Sequence, residues 1–316
     1  MPDAPLRLLI DTDPGVDDAV ALVMALRHPR ARVEAITVVA GNVGLEHTVR
    51  NARYVVELCE ADVPVYAGAA RALLREHRRA ADAHGEDGLG NLGLRPRDPR
   101  PALGHAADVL VERIMREPGA LTLVTLGPLT NVALALLKEP RLASTVRRVV
   151  MMGGAANTAG NVTPAAEFNI WADPEAARIV FRAGLPLTMV GIEISRAARW
   201  TAEEIRELAA LGTARARACA AFLEHALTVA GQRGRVIPGE VFGAGCPDGT
   251  AMAVALEPEV VIDAEQYYVD VETHGELTTG ETVVDRRGVL GRPPNTTVVH
   301  AIDVPRFKAL VHAACR

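Results

Sequence analysis

The stretch Asp11-Thr12-Asp13-Pro14-Gly15-Val16-Asp17-Asp18 (DTDPGVDD, 11–18) joins an apolar run, Leu6 to Ile10, to a helical pattern, Asp17 to Leu26. The run is short and continuous, as in a strand buried on both faces. Pro14-Gly15 punctuates the chain as a turn. The acids then fall in the first helical turn, where the macrodipole favours negative charge. Strand, turn and helix in that order form the repeating unit of a parallel α/β sheet.

The same order recurs outward from this segment. Val33 to Val39, Val63 to Ala67, Leu121 to Thr125, Arg148 to Met152 and Leu187 to Val190 read as strands. Glu46 to Cys59, His105 to Met115, Leu129 to Leu137 and Pro174 to Phe181 read as helices between them. The pattern predicts a mostly parallel mixed sheet with helices on both faces, its strand C-termini gathered along one edge where ligands bind. The residues with chemical character, Asp11 to Asp18, Gly41-Asn42, Leu126-Gly127 and Gly153-Gly154, all follow strands. Thr201 to Ala230 is expected to be helical. Gln266 to Glu272, Thr282 to Asp285 and Thr296 to Ala301 read as late strands, closed by an amphipathic helix over Val304 to Ala314. With no repeat or low-complexity linker, residues 1–316 are expected to form one domain. The Gly/Asp/Arg/Pro-rich stretch Ala80 to Pro101 is the longest expected loop, a length often tied to function.

The composition narrows the function classes. The chain has 316 residues, 49% hydrophobic and 23% charged, with a net charge of −5. A mildly acidic chain offers no footprint for nucleic acid or an anionic membrane. The one basic run, Arg75 to Arg79 (REHRR), reads as a solvated loop or helix end. No apolar stretch reaches the ~18 residues of a membrane span. Cys59, Cys219, Cys246 and Cys315 are scattered without a CxxC pair, and no secretory leader is visible, so a soluble protein of the reducing cytoplasm is expected.

Asp11, Asp13, Asp17 and Asp18 crowd four carboxylates into eight positions. Their mutual repulsion is relieved by a cation, and an all-oxygen set suits a hard ion such as Ca²⁺ or Mg²⁺. Helix capping would account for the later two acids but not for Asp11 and Asp13. An EF-hand is excluded, because the positions requiring Gly and Glu hold Val16 and Leu22. A phosphoryl-transfer or sugar-nucleotide DxD site competes for this segment when it is read alone, although a bare DxD is a weak signal.

Further segments decide among these. DTDPGVDDAVAL (11–22), TVVAGN (37–42), HGEDGLG (84–90), LVTLGPLTNVA (123–133), VVMMGGAANTAGNVTPAAEFNIWADPEAA (149–177) and GCPDGTAMAV (245–254) together resemble the inosine-uridine preferring nucleoside hydrolases. The resemblance runs nearly end to end. It implies a Rossmann-like α/β fold and hydrolysis of the N-glycosidic bond of purine or pyrimidine ribonucleosides, with a bound Ca²⁺ and a homodimeric or homotetrameric assembly. It also implies a role for each matched residue. Asp13 would bind the metal and take the proton of the attacking water. Asp18, the Leu126 carbonyl and Asp248 would complete the metal ligands. Asp17, Asn42, Asn161, Glu167 and Asn169 would hold the ribose hydroxyls, Met152 would line the sugar pocket, and Asp11 would support the cluster.

One position departs from the family pattern. Many members carry a histidine directly before the final metal-binding aspartate, where it can protonate the leaving base. Here that residue is Pro247, which offers no side-chain donor and no backbone N–H. His84, in a glycine-rich loop, is the candidate for the missing acid. His225 reads as a partly buried structural histidine, with a place in the base pocket as the alternative, and Gln232 and Arg233 lie in the region that supplies base contacts in the family. Trp171 and Trp200 read as core or rim, and Asp173 before Pro174 as an ordinary helix cap. The departure keeps two alternatives in view: hydrolysis of another N-ribosyl compound, or a non-catalytic nucleoside- or ribose-binding protein of the same fold.

Overall fold

Alternation within each strand sorts the core into two layers, one on either face of the sheet. Leu8 and Ile10 pack on one face while Leu9, between them, packs on the other. Val150 and Met152 divide from Val149 and Met151 in the same way. In this computed structural model, which describes residues 5–98, 102–233 and 242–316, the strands are β1 (Leu6–Thr12), β2 (Ala31–Val38), β3 (Val65–Ala67), β4 (Thr122–Thr125), β5 (Arg148–Met152), β6 (Leu187–Val190), β7 (Val261–Val271), β8 (Thr282–Asp285) and β9 (Thr296–Ile302). The helices are α1 (Val16–Arg27), α2 (Leu45–Leu58), α3 (Ala81–His84), α4 (Ala106–Arg116), α5 (Thr130–Lys138), α6 (Leu142–Thr145), α7 (Phe168–Ala172), α8 (Pro174–Arg182), α9 (Ile192–Ala197), α10 (Ala202–Ala210), α11 (Ala214–Arg233), α12 (Pro247–Leu256) and α13 (Val304–Cys315).

One nine-stranded sheet runs in the order β3-β2-β1-β4-β5-β6-β9-β7-β8. Pairing is parallel from β3 through β9 and antiparallel where β7 joins β9 and β8. The helices α1, α2, α11, α12 and α13 pack together on one face, and α4, α5 and α8 on the other. The chain winds away from β1 in both directions, so the crevice between the C-terminal ends of β1 and β4 is the topological switch point, the place where such sheets bind ligands.

Three details differ from the sequence reading. The helical stretch after Thr201 is two helices, broken at Gly212, whose φ of 71° suits glycine. Helix α12 was not foreseen: from Asp248 to Leu256 every residue is buried, so the helix shows no polar face and no amphipathic period. The long loop after residue 80 contains the short helix α3, which ends at His84. Among the described residues, no helix is long and apolar enough to cross a membrane.

Candidate active site

The acids gather at the switch point because β1 delivers them there. Asp11 is still in β1, in register with Thr37 on β2 and Thr125 on β4. Its Oδ1 accepts from Thr37 Oγ1 at 2.6 Å and from Asn131 Nδ2 at 2.8 Å. Burial pushes its carboxyl up to about 7, against those two hydrogen bonds. Asp11 thus lies beneath the site and is held by its neighbours.

Asp18 closes the turn that leads into α1. One oxygen accepts from Thr12 Oγ1 at 2.5 Å and from the Asp13 amide at 3.3 Å; the other accepts from the Gly15 amide at 2.9 Å and from Asn42 Nδ2 at 3.1 Å. Asp248 enters from the first turn of α12, whose start is set by the Cys246 amide donating to Ser195 Oγ at 3.0 Å. Carboxylate oxygens of Asp17, Asp18 and Asp248 come within 4.8 Å of one another. Burial, followed by repulsion from Asp17 and Asp18, pushes the Asp248 carboxyl well above the usual carboxylate range. Burial also raises Asp17, and burial with repulsion from Asp17 raises Asp18.

Asp13 stands beside this trio. Its Oδ2 accepts from the Asn42 amide at 2.6 Å, and burial followed by repulsion from Asp18 holds its carboxyl well above the ordinary value. The carboxylate is gripped by two glycines. A Cβ on Gly41 would lie 2.0 Å from Asp13 Oδ2, and one on Gly127 would lie 2.4 Å from Asp13 Oδ1. Because this packing leaves no room for a methyl group, Gly127→Ala is expected to cost about 1–3 kcal/mol of stability. Denaturant melts compared with wild type check this, and an unchanged midpoint would show that Asp13 moves aside freely.

Asp13 Oδ1, Asp17 Oδ1 and Asp248 Oδ1 are buried and accept no hydrogen bond among the described residues. Buried acceptors are nearly always satisfied. Clustered, unpartnered, like-charged oxygens are the condition that a hard cation relieves. The residues present therefore fit a metal ion.

The opposite wall is α7 and the loop before it. Glu167 caps α7, accepting from the Asn169 amide at 3.0 Å and from the Gly154 amide at 2.9 Å, and burial pushes it up to about 7. Asn169 Nδ2 donates to the Leu126 carbonyl at 2.7 Å and to Met152 Sδ at 3.3 Å, which ties α7 to the ends of β4 and β5. Asn161 is exposed, and its Oδ1 accepts from the Phe168 amide at 2.9 Å.

His84 reaches the cluster from the end of α3. Its Nδ1 accepts from the Val16 amide at 3.3 Å and sits 3.6 Å from Asp17 Oδ1. Pro247 begins α12 directly before Asp248. His225 on α11 donates through Nε2 to the Ala83 carbonyl at 3.2 Å, an anchor for the His84 turn. Gln232 is exposed, and the side chain of Arg233 falls outside the described residues. Trp200 is fully buried against Phe307, as expected of a core residue, and Asp173 caps α8 through the Ala176 amide.

Sequence reasoning did not single out Thr12, Gly41, Gly127 or Asn131 for these roles. Asn131 lies within the quoted LGPLTN segment, so its place in the motif was the available clue. A cleft of about 800 Å³ opens at the other ends of β5, β6 and β9, lined by Arg148, Leu187 and Thr296 among others, and contains none of these residues.

Comparison with known proteins identifies the family. The family model for the inosine-uridine preferring nucleoside hydrolases matches residues 8–309. The non-specific ribonucleoside hydrolase RihC of Salmonella enteritidis is 40% identical over 308 residues, covering 98% of this chain and 97% of its own length. The pyrimidine-specific ribonucleoside hydrolase RihA of a Shewanella species is 40% identical over 305 residues, or 96% and 94% of the two chains. The solved structure of a purine-preferring ribonucleoside hydrolase from Gardnerella vaginalis superposes with a TM-score of 0.90 at 31% identity, covering 98% of each chain. With sequence, architecture and acid cluster in agreement, the chain belongs to the inosine-uridine preferring nucleoside hydrolase family.

Proposed function

We propose that this nucleoside hydrolase cleaves ribonucleosides to ribose and free base by using the acid cluster to hold Ca²⁺ and Asp13 to receive a proton from the attacking water. The observation that carries this reading is the set of buried, unpartnered oxygens on Asp13, Asp17 and Asp248 at the switch point. Asp13, Asp18, Asp248 and the Leu126 carbonyl are the proposed ligands, and Asp17 stands close enough to share the site. When bound, such a cation supplies Lewis acidity to water and to the sugar diol.

The remaining work falls to the chain. Asp13 is fixed between Gly41 and Gly127 with one oxygen committed to the Asn42 amide, so its other oxygen is the one proposed to take the proton. Glu167 and Asn169 are proposed to orient the ribose together with Asp17, Asn42, Asn161 and Met152. Their rigid backbone ties favour positioning, which lowers the barrier before any bond breaks. A cationic sugar develops as the glycosidic bond opens, and the surrounding carboxylates stabilise it. The four cysteines, all free and buried, support a reducing cytoplasmic setting.

The test is free-ribose release from a nucleoside panel. Uridine should exceed 2′-deoxyuridine by at least ~10²-fold in kcat/KM, because a missing hydroxyl leaves buried polar groups unpaired. Comparable rates would remove the ribose assignment. Pro247 favours one second reading, an N-ribosyl substrate whose leaving group needs no proton. Turnover of such compounds with no turnover of uridine, cytidine, inosine or adenosine would select it.

A further inference from the structure

The basic run Arg75-Glu76-His77-Arg78-Arg79 reads from the sequence as solvated, and Glu76 and Arg79 are exposed, yet Arg75, His77 and Arg78 are tied down. Arg75 Nη2 pairs with Glu175 Oε1 on α8 at 2.7 Å and donates to the Thr273 carbonyl at 2.7 Å. His77 Nε2 donates to the Gly41 carbonyl at 3.1 Å, and the Ala80 amide to the Asn42 carbonyl at 2.9 Å. Arg78 makes no ion pair among the described residues. Its guanidinium carbon lies 3.7 Å from the centre of the Trp171 ring, and its Nη1 donates to the Trp171 carbonyl at 2.5 Å. The segment is a strap that runs directly into α3 and delivers His84.

Arg78 differs from the other ties in what it joins. Arg75 holds the strap to α8, while His77 and Ala80 hold it to the loop after β2. Arg78 reaches α7, the short helix that carries Asn169 and is capped by Glu167. Ala80 and Ala83 of the strap pack there against Phe168, Trp171 and Ala172, so the stack seals a small apolar contact between the two walls of the site. A planar guanidinium can lie flat on an indole face and still point one N–H at the neighbouring carbonyl; a lysine's compact ammonium has no flat face to stack and a more flexible stem, so it fixes the contact less well.

We propose that Arg78, stacked on Trp171, is a positioning residue that closes the strap onto α7 and so holds His84 in place beside Asp17. The proposal rests on the reading of His84 as the leaving-group acid. A histidine delivered by a loop contributes only if the loop holds it near its partner, since displacements of about 1 Å can cost ~10²-fold.

The experiment compares Arg78→Ala, Arg78→Lys, Trp171→Leu and the Arg78→Ala/Trp171→Leu double variant of the metal-loaded enzyme, on uridine and on p-nitrophenyl riboside. Each single variant is expected to lower kcat on uridine about tenfold, to leave KM within about twofold, and to spare p-nitrophenyl riboside. The double variant should be no worse than either single one, since both remove the same contact. Lysine should not rescue. A second readout needs no turnover. The chain has two tryptophans, and Trp200 is fully buried, so acrylamide quenching reports Trp171. Arg78→Ala should raise that quenching.

Unchanged quenching would overturn the stack as a clamp. Rescue by lysine would show that charge alone matters. Equal losses on both substrates would place Arg78 on the sugar side or in general folding. If His84→Ala itself fails to distinguish the substrates, the leaving-group reading falls, while the quenching and the double variant still decide whether the clamp exists.

Discussion

Asp18→Ala is expected to abolish metal retention and to lower kcat/KM on ribonucleosides by ~10³-fold or more, with the sheet intact. The magnitude follows from the chemistry lost. A metal that polarises water and sugar is worth several kcal/mol, and about 4 kcal/mol corresponds to ~10³-fold. Asp18 is central because it also organises the protein. Its two oxygens take hydrogen bonds from Thr12, Asp13, Gly15 and Asn42, so the alanine variant leaves buried donors unmatched. Asp18→Asn keeps the side-chain shape and one acceptor oxygen, enough for one of the two donor pairs, and so perturbs the turn less than alanine while removing the charge. It should fold like wild type, as judged by far-ultraviolet circular dichroism, and still lose metal measured by atomic absorption. Full activity in a chelated, metal-free sample would end the metal assignment outright.

The pH dependence of loading carries a sign that can be checked. Burial raises Asp13, Asp17, Asp18 and Asp248 in the metal-free fold, and repulsion between the carboxylates adds to it at Asp13, Asp18 and Asp248. A carboxyl whose folded pKa is raised contributes stability that is present at low pH and is lost as pH climbs from the unfolded value through the folded one. Metal takes the place of those protons, so loading releases them and tightens as pH rises. The gap in Tm between loaded and chelated protein is therefore expected to widen with rising pH. A gap that is flat between pH 5.5 and 8 would mean that these carboxyls are already ionised in the empty fold.

What was legible in the sequence follows how local each determinant is. The β1–α1 unit announces itself because Leu6 to Ile10, Pro14-Gly15 and the acids that follow are contiguous, and each specifies its own backbone. Strand β5, at Arg148–Met152, matches the expected range residue for residue. Helix α12 was illegible for the opposite reason: burial on all sides erases the polar face that marks a helix. The run REHRR is a loop with Glu76 and Arg79 exposed, in keeping with its composition, but its ties were not legible there. Arg75 is matched by Glu175 and Arg78 by the Trp171 ring, about a hundred positions away along the chain. Asn131 belongs to the same class. Its amide bridges Asp11, the Val38 carbonyl and the Ala69 amide, and only the closed sheet brings those groups together. The trio of Asp17, Asp18 and Asp248 shows the limit of motif reading: the motif names the acids, and the fold decides which oxygens meet.

His84→Ala is expected to lower kcat on uridine or inosine by ~10² to 10⁴-fold while sparing most of the rate on p-nitrophenyl riboside. A nucleobase leaves as an anion unless it is protonated or hydrogen-bonded as the bond opens. Pro247, next to Asp248, has nothing to donate. His84 lies within 3.6 Å of Asp17, and its side chain is 15% exposed, so it sits beside the acid cluster in a largely covered position. In the neutral ring Nδ1 accepts from the Val16 amide and Nε2 carries the proton; the acid that donates through Nε2 is the ring protonated on Nδ1 as well, which gives up the Val16 bond and leaves that N–H 3.6 Å from Asp17 Oδ1. Both substrates share ribose binding and water activation, so their ratio isolates help to the leaving group. His84→Asn adds a control, because its side-chain oxygen can still accept from Val16 and keep the turn in place. It should show the same selective loss. Equal losses on both substrates would move His84 to the sugar or to the fold. No loss on either would leave the base departing without a protein acid here, and would turn the search to N-ribosyl substrates whose leaving groups need none.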